Sequence, residues 1–307
     1  MARSATEPRR AGKAGKSATS TRLPVSKTPK VYVGGEFIRS ESGRTYQITS
    51  DGKFFANIPE CTRKDVRNAV EAAAAAGARW AKRTPYNRGQ IVYRLAEMLE
   101  ARAAEMSDAI ARTADVSDDR SAAEVAAAID RLIYYAGWAD KYEQVLGNTN
   151  PVGGPFFNFT VSEPVGIVGV IADDRSPFLA LISQVAPVLV SGNAVVALAS
   201  ERFPYPAIVF GEMLATSDLP AGVLSILTGH RNELVPTFAT HTHVRGIDAV
   251  VTAAERKELA LGAAESVKRL RARTDESPLD WTDDSQQSLY EIRNFVEFKT
   301  VWHPIGA

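Results

Sequence analysis

Val165-Gly166-Ile167-Val168-Gly169-Val170-Ile171-Ala172 is an unbroken apolar run. It is too short to span a membrane and too rich in β-branched residues and glycine for a helix, which leaves a strand buried on both faces. A helical pattern follows over Pro177–Ser191, then a strand at Val195–Leu198 and a helix at Pro204–Thr216. The alternation continues with a strand at Val223–Thr228, a short helix near Leu234–Thr240, a strand at Ile247–Val251 and a helix over Ala253–Arg271. Short β-branched runs separated by helices predict a Rossmann-like, doubly wound parallel sheet, so the fold class is α/β.

Upstream lies a turn-rich break, Asn150-Pro151-Val152-Gly153-Gly154-Pro155, flanked by extended chain around Phe156, Phe157, Phe159 and Val161. Before it, three helices are expected. The first starts at Thr62 with Asp65 three residues on, a capping-box pattern, and buries Val66, Ala69, Val70, Ala73, Gly77 and Trp80. The second is capped by Thr84 with Pro85 in its first turn, and carries a stripe of Ile91, Leu95, Met98, Leu99 and Met106. The third is expected to start at Ser121, boxed with Glu124. Val31–Phe37, with Gly34-Gly35 at its centre, predicts a hairpin.

Residues 1–30 carry eight basic residues against the single acid Glu7 and few large apolar side chains, so they are expected to form a disordered basic tail. Downstream, residues 273–288 form an acidic loop, and Tyr290, Ile292, Phe295, Phe298, Val301 and Trp302 mark an apolar, β-prone tail over 289–307. The formal net charge of zero gives no general reason to expect nucleic-acid binding, and no apolar stretch reaches the ~18 residues of a membrane span. A lone cysteine, Cys61, excludes an internal disulfide and is compatible with the cytoplasm.

Glu163-Pro164-Val165-Gly166-Ile167-Val168-Gly169-Val170-Ile171 resembles the strand that opens the cofactor fold of the aldehyde dehydrogenase family. Ala186-Pro187 with Ser191-Gly192-Asn193-Ala194-Val195-Val196 is similar to the same family. So are Leu219-Pro220-Ala221-Gly222-Val223 with Thr228-Gly229, Tyr32-Val33-Gly34-Gly35-Glu36, and the helix bearing Asn87-Arg88 and Leu95-Ala96. These pieces keep the family's order from about Val31 to Val267, and Glu297–Val301 resembles the end of its C-terminal strand.

The resemblance implies a domain at 31–272 that would hold NAD or NADP and hand hydride to it from an aldehyde adduct on a cysteine. It also implies that this cysteine lies in a catalytic domain between the cofactor fold and the C-terminal strand. Only the acidic loop occupies that interval here, no cysteine follows Cys61, and the family's glutamate base has no convincing match. The vestigial cofactor positions, by resemblance, are Ile171, Leu198, Glu201, Gly229 and Thr252. Arg175 stands where the family's oxyanion asparagine would be. Leu198-Ala199-Ser200-Glu201 keeps the ribose glutamate and lacks the lysine. Gly229-His230-Arg231 replaces Gly-x-Gly, and Val251-Thr252 replaces the Gly-Ser that cradles the pyrophosphate.

The remaining candidates weigh toward structure. Cys61 precedes a helix cap, where a thiol can be acidified, yet an inert thiol is the simpler reading. His241-Thr242-His243 lacks the further ligands a metal site needs. Asp173 and Asp174 are expected to diverge into solvent, with Arg175 closing a salt bridge in the emptied cleft. The resemblance also implies an oligomerisation arm, a hairpin at about 148–163 plus the C-terminal strand. The expectation is therefore a non-catalytic subunit whose partner is a full-length aldehyde dehydrogenase, with helix Ala253–Arg271 as a second contact. The alternatives are an NAD(P)-binding oxidoreductase completed by another chain, and an adaptor whose basic tail holds an anionic partner.

Overall fold

The computed structural model describes Val25, residues 27–274, Glu276 and residues 279–306. The expected basic tail falls almost wholly outside the described residues. From Lys27 the chain is placed, with Pro29 buried and Lys27 paired with Glu212, so the placed chain begins before Val31.

The N-terminal part contains β1 (Val31–Val33), β2 (Glu36–Ile38), β3 (Thr45–Ser50), β4 (Lys53–Pro59), α1 (Arg63–Ala81), α2 (Pro85–Ala101), α3 (Ala103–Ala114), α4 (Asp118–Trp138) and α5 (Tyr142–Leu146). An arm follows, β5 (Thr149–Asn150) and β6 (Phe156–Pro164). The α/β core runs β7 (Ile167–Ile171), α6 (Leu179–Val190), β8 (Ala194–Leu198), α7 (Tyr205–Leu214), β9 (Leu224–Leu227), α8 (Arg231–Thr240), β10 (Val244–Val251), α9 (Ala253–Glu265) and β11 (Arg269–Thr274). The chain closes with a 3-10 turn at Asp284–Gln286, α10 (Leu289–Arg293) and β12 (Val296–Pro304).

The main sheet has the order β11-β10-β7-β8-β9-β1-β2. Its five core strands are parallel, and the β1–β2 hairpin adds antiparallel to β9. Period-two alternation divides the core. Val168, Val170, Val195 and Ala197 face a layer built on α6 and α7, while Ile167, Ile171, Val196 and Leu198 face α1, α8 and α9. Helices α2, α3 and α4 pack outside α6 and α7 as a third layer. Gly34 and Gly35 both take positive φ in the β1–β2 turn, and a Cβ on Gly35 would lie 2.5 Å from that of Ala221. Because β7 is flanked by β8 on one side and β10 on the other, a crevice opens beyond the carboxyl ends of these strands, where open α/β sheets bind ligands.

Local chemistry accounts for the family-like motifs. Asn193 accepts from the Gly166 N–H at 2.8 Å and donates to Ser191 Oγ and the Phe295 carbonyl, both at 2.8 Å. One amide thus ties the start of β7, the turn before β8 and the C-terminal segment. Arg88, buried, donates to the carbonyls of Val190 and Arg83 at 2.9 and 2.6 Å, satisfying two helix ends.

Four expectations change. The second helical stripe breaks at Arg102, so Met106 belongs to α3. Helix α4 starts one turn early, capped by Ser117 rather than Ser121. The expected helix over Ala253–Arg271 ends at Glu265: Val267 takes φ +53°, and Arg269–Thr274 becomes a fifth parallel strand. The β3–β4 hairpin was not expected at all.

Glu124, freed from the expected capping box, is buried and accepts from the backbone N–H groups of Phe178 and Leu179, both at 3.0 Å. Burial raises its carboxyl above the usual range, and the two backbone hydrogen bonds only partly offset this. A raised folded value means that Glu124's contribution is present at acid pH and lost as pH rises through that value. Glu124→Gln keeps an acceptor without the charge, so urea melts at pH 7 should place it within about 0.5 kcal/mol of the parent, or above it. Glu124→Ala should lose about 1–3 kcal/mol by leaving two buried donors unpaired.

Candidate cofactor cleft

The structure brings the cofactor positions expected from the resemblance to one edge of the sheet. Ile171 ends β7, Leu198 ends β8, Gly229 follows β9 and Thr252 follows β10, so all four lie at the carboxyl edge of the sheet, with Glu201 in the β8–α7 loop. The structure also shows what each of them now does.

Ile171 and Leu198 are fully buried core residues. Glu201 accepts from His230 Nδ1 and from the Arg231 backbone N–H, both at 2.8 Å. It therefore caps α8, whose own N-cap residue, His230, makes no capping bond. The Arg231 guanidinium lies across the crevice, donating to the Ala172 carbonyl at 2.5 Å and pairing with Asp174 at 3.3 Å. Gly229 takes φ +146°, and a Cβ there would lie 3.1 Å from the Cys61 carbonyl oxygen, so backbone conformation and packing together favour glycine. Thr252 forms a capping box with Glu255, whose carboxylate accepts from the Thr252 N–H at 2.8 Å.

A common pattern emerges. The amino ends of α6, α8 and α9 are held by the side-chain carboxylates of Glu124, Glu201 and Glu255 respectively. In dinucleotide folds a helix amino end is where a ligand's phosphate is received. Here a pyrophosphate would meet a carboxylate of the protein at α9, and a ribose would have to displace His230 from Glu201. In this conformation those carboxylates occupy the helix ends a phosphate would take, and no hydride-transfer step is derived from them.

The β7–α6 loop is rebuilt as well. Asp173 does not diverge into solvent: it is 2% exposed and receives Arg175 Nε at 3.0 Å, Arg175 Nη2 at 2.8 Å and Trp281 Nε1 at 2.9 Å. Burial pushes its carboxyl up, but these donors outweigh burial and hold it below the usual aspartate range. The expected Arg175 salt bridge is present, to Asp173. Asp174 turns the other way, accepting from Ser200 Oγ at 2.5 Å.

Two cavities share this loop. One, of about 650 Å³, lies under the β3–β4 hairpin, with Tyr46, Arg112, Asp174, Glu201 and His230 in its wall. The Tyr46 ring sits 5.1 Å from that of His230. The other, of about 920 Å³, is lined by Arg120, Glu124, Arg175, Phe203 and Trp281. Neither holds a cysteine: Cys61 is buried under α1 with its thiol pushed up to about 12, chiefly by burial, which overrides any acidifying effect of the helix end. Strand β11 carries Arg269, Arg271 and Arg273 and no carboxylate. Burial, with the neighbouring His243 charge, lowers the His241 value. Among the described residues no cluster of His, Cys, Asp and Glu could hold a metal, and no helix is long and apolar enough to cross a membrane.

A Rossmann-like core with a rebuilt crevice and a strand arm defines the class. The chain belongs to the aldehyde dehydrogenase family, whose pattern it matches over residues 37–274. It is 30% identical over 250 residues to the putative aldehyde dehydrogenase DhaS of Bacillus subtilis (strain 168), covering 79% of this chain and 50% of that protein. The crystal structure of HpcC from Thermus thermophilus superposes with a TM-score of 0.77 at 27% identity, covering 80% of this chain and 48% of that one. Betaine aldehyde dehydrogenase from Staphylococcus aureus, solved in complex with NAD+, gives 0.76 at 23% identity, covering 80% and 49%, and so shares the fold. This chain spans about half the length of the relatives it matches.

Removing the Glu201 cap should cost stability. Glu201→Ala is expected to lower unfolding free energy by about 1 kcal/mol in urea melts at pH 7. Asp173 has the opposite pH signature to Glu124. Its lowered value gives a contribution present above the ordinary aspartate range, near ~4, and lost as pH falls through the folded value. Wild type should therefore lose more stability than Asp173→Asn between about pH 5 and pH 2, measured by acid titration of the thermal midpoint.

Proposed function

We propose that this chain is a non-catalytic aldehyde dehydrogenase subunit that assembles with a full-length family member by adding its arm to that partner. The observation that carries this reading is the arm itself. β12 pairs with β6 over nine residue positions, from Val296↔Pro164 to Pro304↔Phe156, and forms the edge of a three-stranded sheet. Phe156, Phe157, Phe298, Trp302 and Ile305 remain exposed on and beside it. A nine-residue edge strand that exposes Phe298 and Trp302 has unpaired backbone groups beside apolar rings, and strand addition is the economical way to cover both. Leu261 on α9, 64% exposed, offers a second apolar contact. The crevice adds indirect support, since Glu201 and Thr252 serve helix caps within the chain.

The second reading is an oxidoreductase that still binds NAD(P) and borrows a nucleophile. It rests on family membership and on the retained Glu201. Calorimetric titration separates the two: no saturable heat with NAD+ or NADP+ is expected up to about 1 mM, a limit near −4 kcal/mol of binding. Micromolar binding would favour the second reading.

The arm is tested directly by co-expression with a full-length aldehyde dehydrogenase of the same cell and size exclusion. A mixed complex is expected. The Ile305 N–H bonds inward to Pro155, and the Thr160 N–H bonds away from β12 to Asn148, so even-numbered residues of β12 point their N–H groups outward. Thr300→Pro therefore removes an outward donor without breaking the β6 ladder. It should abolish co-elution while leaving the circular dichroism unchanged. Elution of the wild-type chain alone in the presence of that enzyme would defeat the proposal.

A further inference from the structure

The segment between β11 and α10 was expected to be a featureless acidic loop. Most of its described residues are exposed, but Trp281 is 2% exposed, and three arms of the protein grip it. Its indole Nε1 donates to Asp173 Oδ2 at 2.9 Å. Its carbonyl accepts from Arg131 Nη2 at 3.0 Å. The Arg273 guanidinium lies 5.2 Å from its ring centroid.

Arg131 is a buried cation from the third helical layer, 2% exposed. It has no carboxylate partner among its hydrogen bonds, which go to Ser183 Oγ at 3.0 Å, the Gln286 carbonyl at 2.9 Å and the Trp281 carbonyl. Two of its three acceptors therefore belong to the segment. Arg273 is fixed in turn by buried Asp248 at 2.9 Å. Solvated loops need none of this: a buried guanidinium is costly unless the groups it serves stay in place.

The position of the indole gives the segment its meaning. It sits on Asp173, two residues before Arg175, at the mouth of the β7–α6 loop and in the wall of the larger cavity. We propose that residues 279–288 are a fastened stopper, pinned by Arg131 and Asp173, that holds the β7–α6 loop in the conformation in which Arg175 lies on Asp173, and so fixes this wall of the larger cavity. This inference rests on the geometry of the loop and not on the arm, so either can fail alone.

Hydrogen–deuterium exchange on the full chain tests it. In the wild type, amides of 279–288 should exchange at least ~10-fold more slowly than unstructured peptide, and 172–179 should be protected as well. Trp281→Ala should accelerate both stretches together by ~10-fold or more, while α1, on the opposite face of the sheet, stays unchanged. Trp281→Phe keeps a ring and removes only the bond to Asp173, so it should fold even where the alanine variant does not. It should accelerate 172–179 several-fold, with a smaller effect on 279–288. Exchange of wild-type 279–288 at the unstructured rate, or an unaltered rate at 172–179 in Trp281→Phe, would overturn the proposal.

Discussion

A parallel sheet has no side to give to water. Its strands are apolar on both faces, and their carboxyl ends form a crevice whose backbone groups need partners. Most of this structure can be understood as an answer to that constraint. α1, α8 and α9 cover one face, α6 and α7 the other, and a further helical layer closes the outside. The crevice is the hard part, because in an open α/β fold a ligand normally completes it. Here protein groups supply several of those partners: a carboxylate at each of three helix ends, an arginine laid on the Ala172 carbonyl, and an indole beside Asp173.

The motifs that survive are those the fold itself requires. Asn193 joins three segments, Arg88 serves two helix ends, and Gly229 lets the chain pass against the Cys61 backbone. The positions that resemblance assigns to a ligand, Glu201 and Thr252 among them, serve helix caps here. Fold and site can drift at different rates because different atoms answer for them. A resemblance carried by packing residues is consequently good evidence for architecture and poor evidence for chemistry.

How much was legible follows the same division. The four apolar strands Ile167–Ile171, Ala194–Leu198, Leu224–Leu227 and Val244–Val251 were readable because burial on both faces leaves no polar alternation to confuse. Strand β11 was hidden because Arg269, Arg271 and Arg273, paired at the sheet edge, look like the polar face of a continuing helix. Only Leu270 and Ala272 between them betray period two. Glu124 was assigned to the nearest serine by spacing, whereas its partners lie 54 and 55 residues away. Asp173 could be located but not oriented, since its indole donor is 108 residues distant. Local rules recover caps and turns; contacts across the fold need the fold first.

Cys61 is the only sulfhydryl in the sequence, and it is enclosed beneath α1. Alkylating agents that silence thiol-dependent dehydrogenases would find nothing to modify on this chain while it stays folded. In the mixed assembly proposed above, labelled equivalents per particle would come from the companion subunits, and a sulfur titration before and after unfolding would report this chain's share.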